Sequence, residues 1–293
     1  MKVKKTPIIA MLCMFLLSLM PAANGEGYTL PVDLSPGPKA SPAGYTSQTE
    51  YEDETLSVRM ESRQVDDSVY HIAWVKIAHP SQLRTALAGP YGSKKTAKTS
   101  EMAAASNAVV AINGDYFQYR GGGVEARQGE MYRKTPNTKL DLLVIDEAGD
   151  FHIFKKSNRK ELSAFLKEHT AVNAFTFGPA LVMDSELQTI YNSYGFAPQD
   201  RAQRVGIGQM GPLQYVFVVV DGRQQGYSRG ITIKRLAEFM QELGCTQAFN
   251  LDGGGSATMV FNGTCYNKLV DDAERNISDI IYFASAVPET DGQ

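Results

Sequence analysis

Three consecutive glycines interrupt an apolar part of this chain. Asn250-Leu251-Asp252-Gly253-Gly254-Gly255-Ser256-Ala257 joins two strand-like runs, 248–251 and 257–261. A glycine in regular structure costs about 0.5–1 kcal/mol relative to alanine, so three in a row at the end of a buried strand do not serve stability. They permit close approach of a ligand and convergent backbone N–H groups, a nest for an anion. Asp252 adds a carboxylate and Ser256 a hydroxyl. A glycine-rich hairpin bulge is the plainer reading of the same residues. Two common phosphate loops do not fit. No Gly-Lys-Ser/Thr follows, and the glycines are contiguous and precede a strand, unlike GxGxxG.

The rest of the pattern is mostly strand. Residues 56–64 and 69–78 alternate or run β-branched around an Asp66-Asp67-Ser68 turn. Val69, His71, Ala73, Val75 and Ile77 then share one face. Further strands are expected at 108–113, 140–146, 151–154, 205–207, 213–220, 248–251, 257–261 and 279–285. The run 213–220 is apolar enough to be buried on both faces. Helices are expected at 99–107, 159–168 and, most clearly, 233–243. There Ile233, Leu236, Phe239, Met240 and Leu243 mark one face, Thr232 is the N-cap and Gly244 the stop. If the flanks of the glycine block pair as a hairpin, positions 249 and 259 face each other. Strands outnumber helices without alternating strictly, which favours an α+β fold over a doubly wound one. The expectation is a largely antiparallel sheet core with packed helices in a single domain, residues 54–287.

What precedes that domain reads differently. Lys2, Lys4 and Lys5 followed by an apolar run from 8 to 20 and Ala23-Asn24-Gly25 have the form of an export signal, residues 1–25. The run is too short for a bilayer span, and no other segment suits one. Residues 26–53, rich in proline and glycine with no apolar period, read as a disordered linker. Residues 288–293 read as a tail. Export to the cell envelope or beyond would leave Cys245 and Cys265 in an oxidising compartment, where two thiols suggest one disulfide. The net charge of −3 lacks the basic footprint of a nucleic-acid binder.

Three further stretches have the form of strand ends that carry polar groups: Asn113-Gly114-Asp115-Tyr116-Phe117, Arg204-Val205-Gly206-Ile207-Gly208 and Asp221-Gly222-Arg223. Each is also readable as a plain turn or strand. Together with the glycine block they resemble the phosphodiester glycosidases, the family of the lysosomal uncovering enzyme. The likeness is closest over GITIKRLAEFMQELGCTQAFNLDGGGSATMVFNGT at 230–264. RVGIG, NGDYF, Gly178-Pro179-Ala180-Leu181-Val182 and Glu274-Arg275-Asn276-Ile277-Ser278 resemble other family segments, so that the likeness covers roughly 69–285.

The resemblance implies hydrolysis of a sugar-1-phosphodiester at C1–O, with release of free sugar and a phosphomonoester. Such a site must bind an anion whose charge grows and stabilise an oxocarbenium-like sugar. Arginine suits the anion because its planar fork pairs two phosphate oxygens. Arg204 and Arg275 are the first candidates and Arg223 the next, with donors from Gly253, Gly254, Gly255 and Ser256. Asp252 is the leading catalytic carboxylate. His71, as an imidazole acid or base, and Asp115 are further catalytic candidates, although a lone histidine on a strand face is more often a packing residue. Asn113, Gly114, Phe117, Asp221 and Asn250 are candidates for substrate contact, the two asparagines for sugar hydroxyls or for capping strand ends. Asp252, Asp221 and Asp115 also offer oxygen ligands to Ca²⁺ or Mg²⁺, and no histidine or cysteine spacing suits zinc. Two other functions fit the same residues: a non-catalytic phosphoglycan- or carbohydrate-binding module, and a phosphodiesterase that breaks P–O.

Overall fold

A computed structural model describes residues 28–287 apart from residue 196. The expected export signal at 1–25 and the tail at 288–293 lie outside the described residues. Among the described residues, three sheets, in which every pairing between strands is antiparallel, make up a single domain. The same residues form three α-helices, α1 (Thr99–Ala105), α2 (Arg159–Phe165) and α3 (Ile233–Glu242). The antiparallel core and single domain are as expected, but the fold is more β-rich than a balanced α+β description. None of these helices is long and apolar enough to cross a membrane.

The largest sheet has eight strands. At its centre lie Ser68–Ile77, Gln214–Val220, Arg204–Gly211 and Gln247–Leu251, in that order. Ser68–Ile77 is buried on both faces, because alternate residues enter different clusters. Ala73, Val75 and Ile77 join the main core, while Tyr70 and Ile72 meet α3. The helix follows its sequence signals closely. The Thr232 hydroxyl accepts from the Arg235 N–H at 3.1 Å, Ile233, Leu236, Phe239 and Met240 are buried, and Gly244 follows with φ +89°.

One five-stranded sheet runs Glu130–Thr135, Gly123–Arg127, Asn173–Phe177, Asp141–Ile145, Phe151–Phe154. The other runs Thr264–Cys265, Met259–Phe261, Val110–Asn113, Asp279–Phe283, Leu83–Leu87. Their apolar faces close the main core against the large sheet, with Leu143, Phe175, Ile112, Met259 and Phe283 meeting Phe217 and Phe249.

The glycine block is the crossing between two sheets, not a hairpin. Gln247–Leu251 pairs with Arg204–Gly211 and Ala180–Met183 in the large sheet, whereas Met259–Phe261 pairs with Val110–Asn113 in the other. This corrects the expected register and the disulfide with it. Cys245 is buried with Met240 and Ala248 under α3, in the space over Gly208 that a Cβ would fill. Cys265 lies in a different cluster with Met102 and Ile280, and both thiols are free.

Residues 28–53 are not a disordered linker. Leu30 is buried beside Met102 and Tyr282, and Glu50–Glu52 pairs with Leu56–Val65 at the edge of the large sheet. The fully buried Arg84 explains the rest. Its guanidinium donates to the carbonyls of Pro31 at 2.8 Å, Asp33 at 3.0 Å and Ser35 at 2.9 Å. A proline-rich segment makes few hydrogen bonds of its own, and a buried guanidinium requires several. Each satisfies the other, which composition does not reveal.

Candidate active site

Asp252 leaves the end of Gln247–Leu251 and is fixed by its backbone. Its N–H donates to the Gly114 carbonyl at 3.3 Å, and its own carbonyl accepts from Asn113 Nδ2 at 2.7 Å. Asn113 Oδ1 accepts the Thr258 N–H at 3.1 Å. The buried Asn113 therefore ties together the two ends of the glycine block, so its role is to position backbone and not to hold a sugar hydroxyl. Gly114 is required by what lies below it. A Cβ there would come within 2.4 Å of the Asp279 carboxylate.

The block itself departs from an open nest. Gly254, with φ +59°, donates its N–H to the Gln203 carbonyl at 3.0 Å, and the Ser256 N–H turns back to the Gly253 carbonyl. Those two donors are used within the fold. What the block presents instead is Asp252 near the exposed Arg275, with the exposed Arg223 over Gly254. The Arg275 guanidinium lies where a Cβ on Gly255 would stand, 2.5 Å from that position, and its Nη1 is 3.4 Å from Ser256 Oγ. Arg223, itself at φ +57°, reaches the neighbourhood of Gly254. Burial raises the Asp252 carboxyl to about 6, while the Ser256 hydroxyl and the charges of Arg275 and Arg120 pull against that shift. Without those partners burial would raise it further.

Behind Asp252 stands an array of buried charge. Arg127 reaches Asp279 at 2.8 Å, Asp115 at 3.0 Å and Glu125 at 3.1 Å, and Arg133 reaches Glu125 at 2.9 Å. Three carboxylates thus share two guanidiniums. Burial pushes Glu125 well above the ordinary carboxylate range, and Asp115 pushes it further. Asp279, also raised by burial, stands at about 6. Burial works against the Arg127 charge too, but Asp279, Asp115 and Glu125 outweigh it and hold its pKa raised. Asp115 is therefore no exposed acid or base. Its Oδ1 pairs with Arg127, and its charge contributes to the raised Asp252 value. Phe117 is likewise buried, stacked on Tyr91 at 5.1 Å, and not free to face a sugar.

Other expected residues have positioning roles. Arg204 is buried, and its donors go to the carbonyls of Ile231 at 3.2 Å, Ala197 at 2.9 Å and Asp200 at 2.7 Å. Burial and the charge of Arg223 lower it to about 10. The structure thus corrects its role from phosphate fork to clasp for the 197–200 loop. Asn250 Nδ2 holds the Gly178 carbonyl at 2.9 Å. His71 is buried, with Nε2 on Asp221 at 2.8 Å and Nδ1 on Ser62 at 2.9 Å. Asp221 also accepts from Asn267, Tyr227 and the Lys268 N–H. Three of those donors fall on Oδ2 and Asn267 takes Oδ1, so the buried Asp221 faces its own neighbours and not solvent, where a sugar hydroxyl would approach. Asp252, Asp221 and Asp115 do not gather their oxygens on one point. The His71–Asp221 pair reaches the block through Asn267, which also meets the Ala257 carbonyl at 3.2 Å and the Met259 N–H at 2.7 Å.

Sequence reasoning missed Arg120, Arg127, Glu125 and Asp279. Glu125 and Arg127 stand two apart on one strand, a pattern that places them on one face. That signal was available, but their burial depends on Asp279, 152 residues further along the chain than Arg127. Arg120 lies over the rings of Tyr116 at 4.9 Å and Phe177 at 4.6 Å and donates to the Asp115 carbonyl.

The family model for phosphodiester glycosidases matches residues 106–284, more than half of the chain and every part of the Asp252 site. The chain belongs to the phosphodiester glycosidase family. N-acetylglucosamine-1-phosphodiester α-N-acetylglucosaminidases of Bos taurus and Homo sapiens are each 39% identical over 74 residues, 25% of this chain and 14% of theirs. The SPbeta prophage-derived uncharacterized protein YomE of Bacillus subtilis is 28% identical over 208 residues, 69% of this chain and 32% of its own. The matches thus span at most about a third of these curated relatives. Among solved structures, the zebrafish N-acetylglucosamine-1-phosphodiester α-N-acetylglucosaminidase catalytic domain, auto-inhibited by its pro-peptide, superposes with a TM-score of 0.65 at 19% identity. That superposition covers 90% of this chain and 99% of the other. At such identity it shows a shared fold. A hypothetical protein from Synechocystis superposes at 0.55 with 15% identity, over 81% of this chain and 64% of the other.

Proposed function

We propose that this phosphodiester glycosidase hydrolyses the C1–O bond of a sugar-1-phosphodiester of the N-acetylglucosamine type, outside the cell or in its envelope after export by residues 1–25. Water adds at C1, and the phosphate departs with its second ester intact, so the products are free sugar and a phosphomonoester. The carrying observation is the partly buried Asp252, raised to about 6 and accepting from Ser256, beside Arg275 on the glycine block. At neutral pH that carboxylate is mostly ionised. It is suited to stabilise a cationic C1, to attack it, or to activate water. Arg275 and Arg223 supply positive charge where a departing phosphate gains negative charge. A phosphomonoester leaves readily, so the site does not need a strong acid. The names of the mammalian relatives support the choice of sugar and linkage.

A panel of sugar-1-phosphodiesters, with free sugar and sugar phosphate read separately, tests the proposal. Free sugar should accumulate, and Arg275→Ala should lower kcat/KM by roughly 10- to 100-fold, the worth of one lost charge-assisted hydrogen bond. Accumulation of sugar phosphate would favour the phosphodiesterase reading. Binding of every substrate without any product would favour a binding module.

A further inference from the structure

Two of the four histidines, His152 and His169, lie together away from the glycine block. The turn that joins Asp141–Ile145 to Phe151–Phe154 carries Asp146 and Glu147, and the segment after α2 brings His169 against it. His169 Nδ1 is 3.7 Å from Asp146 Oδ2 and 3.6 Å from Glu147 Oε1. One donor atom from each of the three residues lies within 4.8 Å of the others. Bonds of about 2.1 Å to a tetrahedral ion place neighbouring donors about 3.4 Å apart, so the two histidine distances need to contract by only a few tenths of an ångström.

The donors are held before any ion arrives. Asp146 is buried, with Oδ1 accepting the N–H groups of Ala148 and Asp150 and Oδ2 accepting from His152 Nε2 at 2.8 Å. Glu147 Oε2 accepts the Thr170 N–H at 2.7 Å, which leaves Oε1 toward His169. The His169 ring stacks on Phe165 at 4.6 Å, and His152 packs against the same phenyl ring.

We propose that Asp146, Glu147 and His169 bind a divalent transition-metal ion of the zinc type, with His152 positioning Asp146. One imidazole nitrogen with two carboxylate oxygens suits such an ion better than Ca²⁺ or Mg²⁺, which prefer oxygen alone. The ion would clip the segment after α2 to the hairpin turn and stabilise the native state by mass action.

Calorimetric and melting titrations with ZnCl₂ on the chelator-treated full chain test this. Saturable binding should raise Tm. His169→Ala and Glu147→Gln should each weaken affinity at least about tenfold while the metal-free circular dichroism stays unchanged, and His152→Ala should weaken it about tenfold through Asp146. CaCl₂ at equal concentration should leave Tm unchanged. Absence of saturable zinc binding, equal zinc affinity in every variant, or equal response to calcium would overturn the assignment. None of these residues belongs to the Asp252 site, so the outcome is independent of the proposed catalysis.

Discussion

Asp252 is kept charged at a cost, and that sets how the site responds to substitution and to pH. Its folded pKa of about 6 stands above the ordinary 3.8 because burial disfavours the anion. Between those values the folded state holds a proton that the unfolded state has lost. The stability linked to this proton is complete below about pH 4 and is lost as pH rises through 6. A displacement of that size corresponds to roughly 3 kcal/mol at most. Asp252→Asn removes the charge, so it should stabilise the protein at pH 7 by about 1–3 kcal/mol, an advantage that vanishes below pH 4. The same change should lower kcat by about 10²- to 10⁴-fold. In the unmodified protein, activity should fall on the acid side with an apparent pKa near 6, because the proposed mechanism uses the ionised form of Asp252. Melting curves at two pH values and kcat on the same preparations check all three. A less stable, fully active Asp252→Asn protein would make the residue structural.

The elements that place Asp252 are joined by side chains, and here the sequence was legible in one direction only. The Leu56–Val65 and Ser68–Ile77 hairpin, the cap and stop of α3, and the special nature of the glycine block follow from local pattern. Where the chain goes after the block does not, since Leu251 and Met259 lie eight residues apart yet belong to different sheets. A hairpin register therefore misplaced Cys245 and Cys265. Differential alkylation of the unreduced, unfolded protein with peptide mapping should find both as free thiols, and a Cys245–Cys265 cross-link would refute the sheet crossing. Arg127 shows the same limit. Its sequence neighbours announce nothing of Asp279, which lies in another sheet. Arg127→Met should cost about 3–5 kcal/mol, because it leaves three buried carboxylates with too little positive charge. Chemical denaturation measures that loss, and a change under about 1 kcal/mol would mean that the array is not held by Arg127.

At the scale of the whole molecule, the antiparallel sheet core was predictable from strand signals and the candidate chemistry from the glycine block, which together led to the right family. The ordered run of residues 28–53 was not, because its partner is a single buried guanidinium at Arg84. Nor were the roles of Arg204, Asn113 and Asp115, whose residue types suit a phosphate, a sugar and a proton but whose hydrogen bonds go to the protein itself. One carboxylate, a hydroxyl and two arginines around three glycines remain for the proposed cleavage of the bond between C1 and oxygen. Hydrolysis of a sugar-1-phosphodiester in ¹⁸O-labelled water tests that directly. Label should enter the free sugar and be absent from the phosphomonoester, whereas label in the phosphate would contradict cleavage at C1–O.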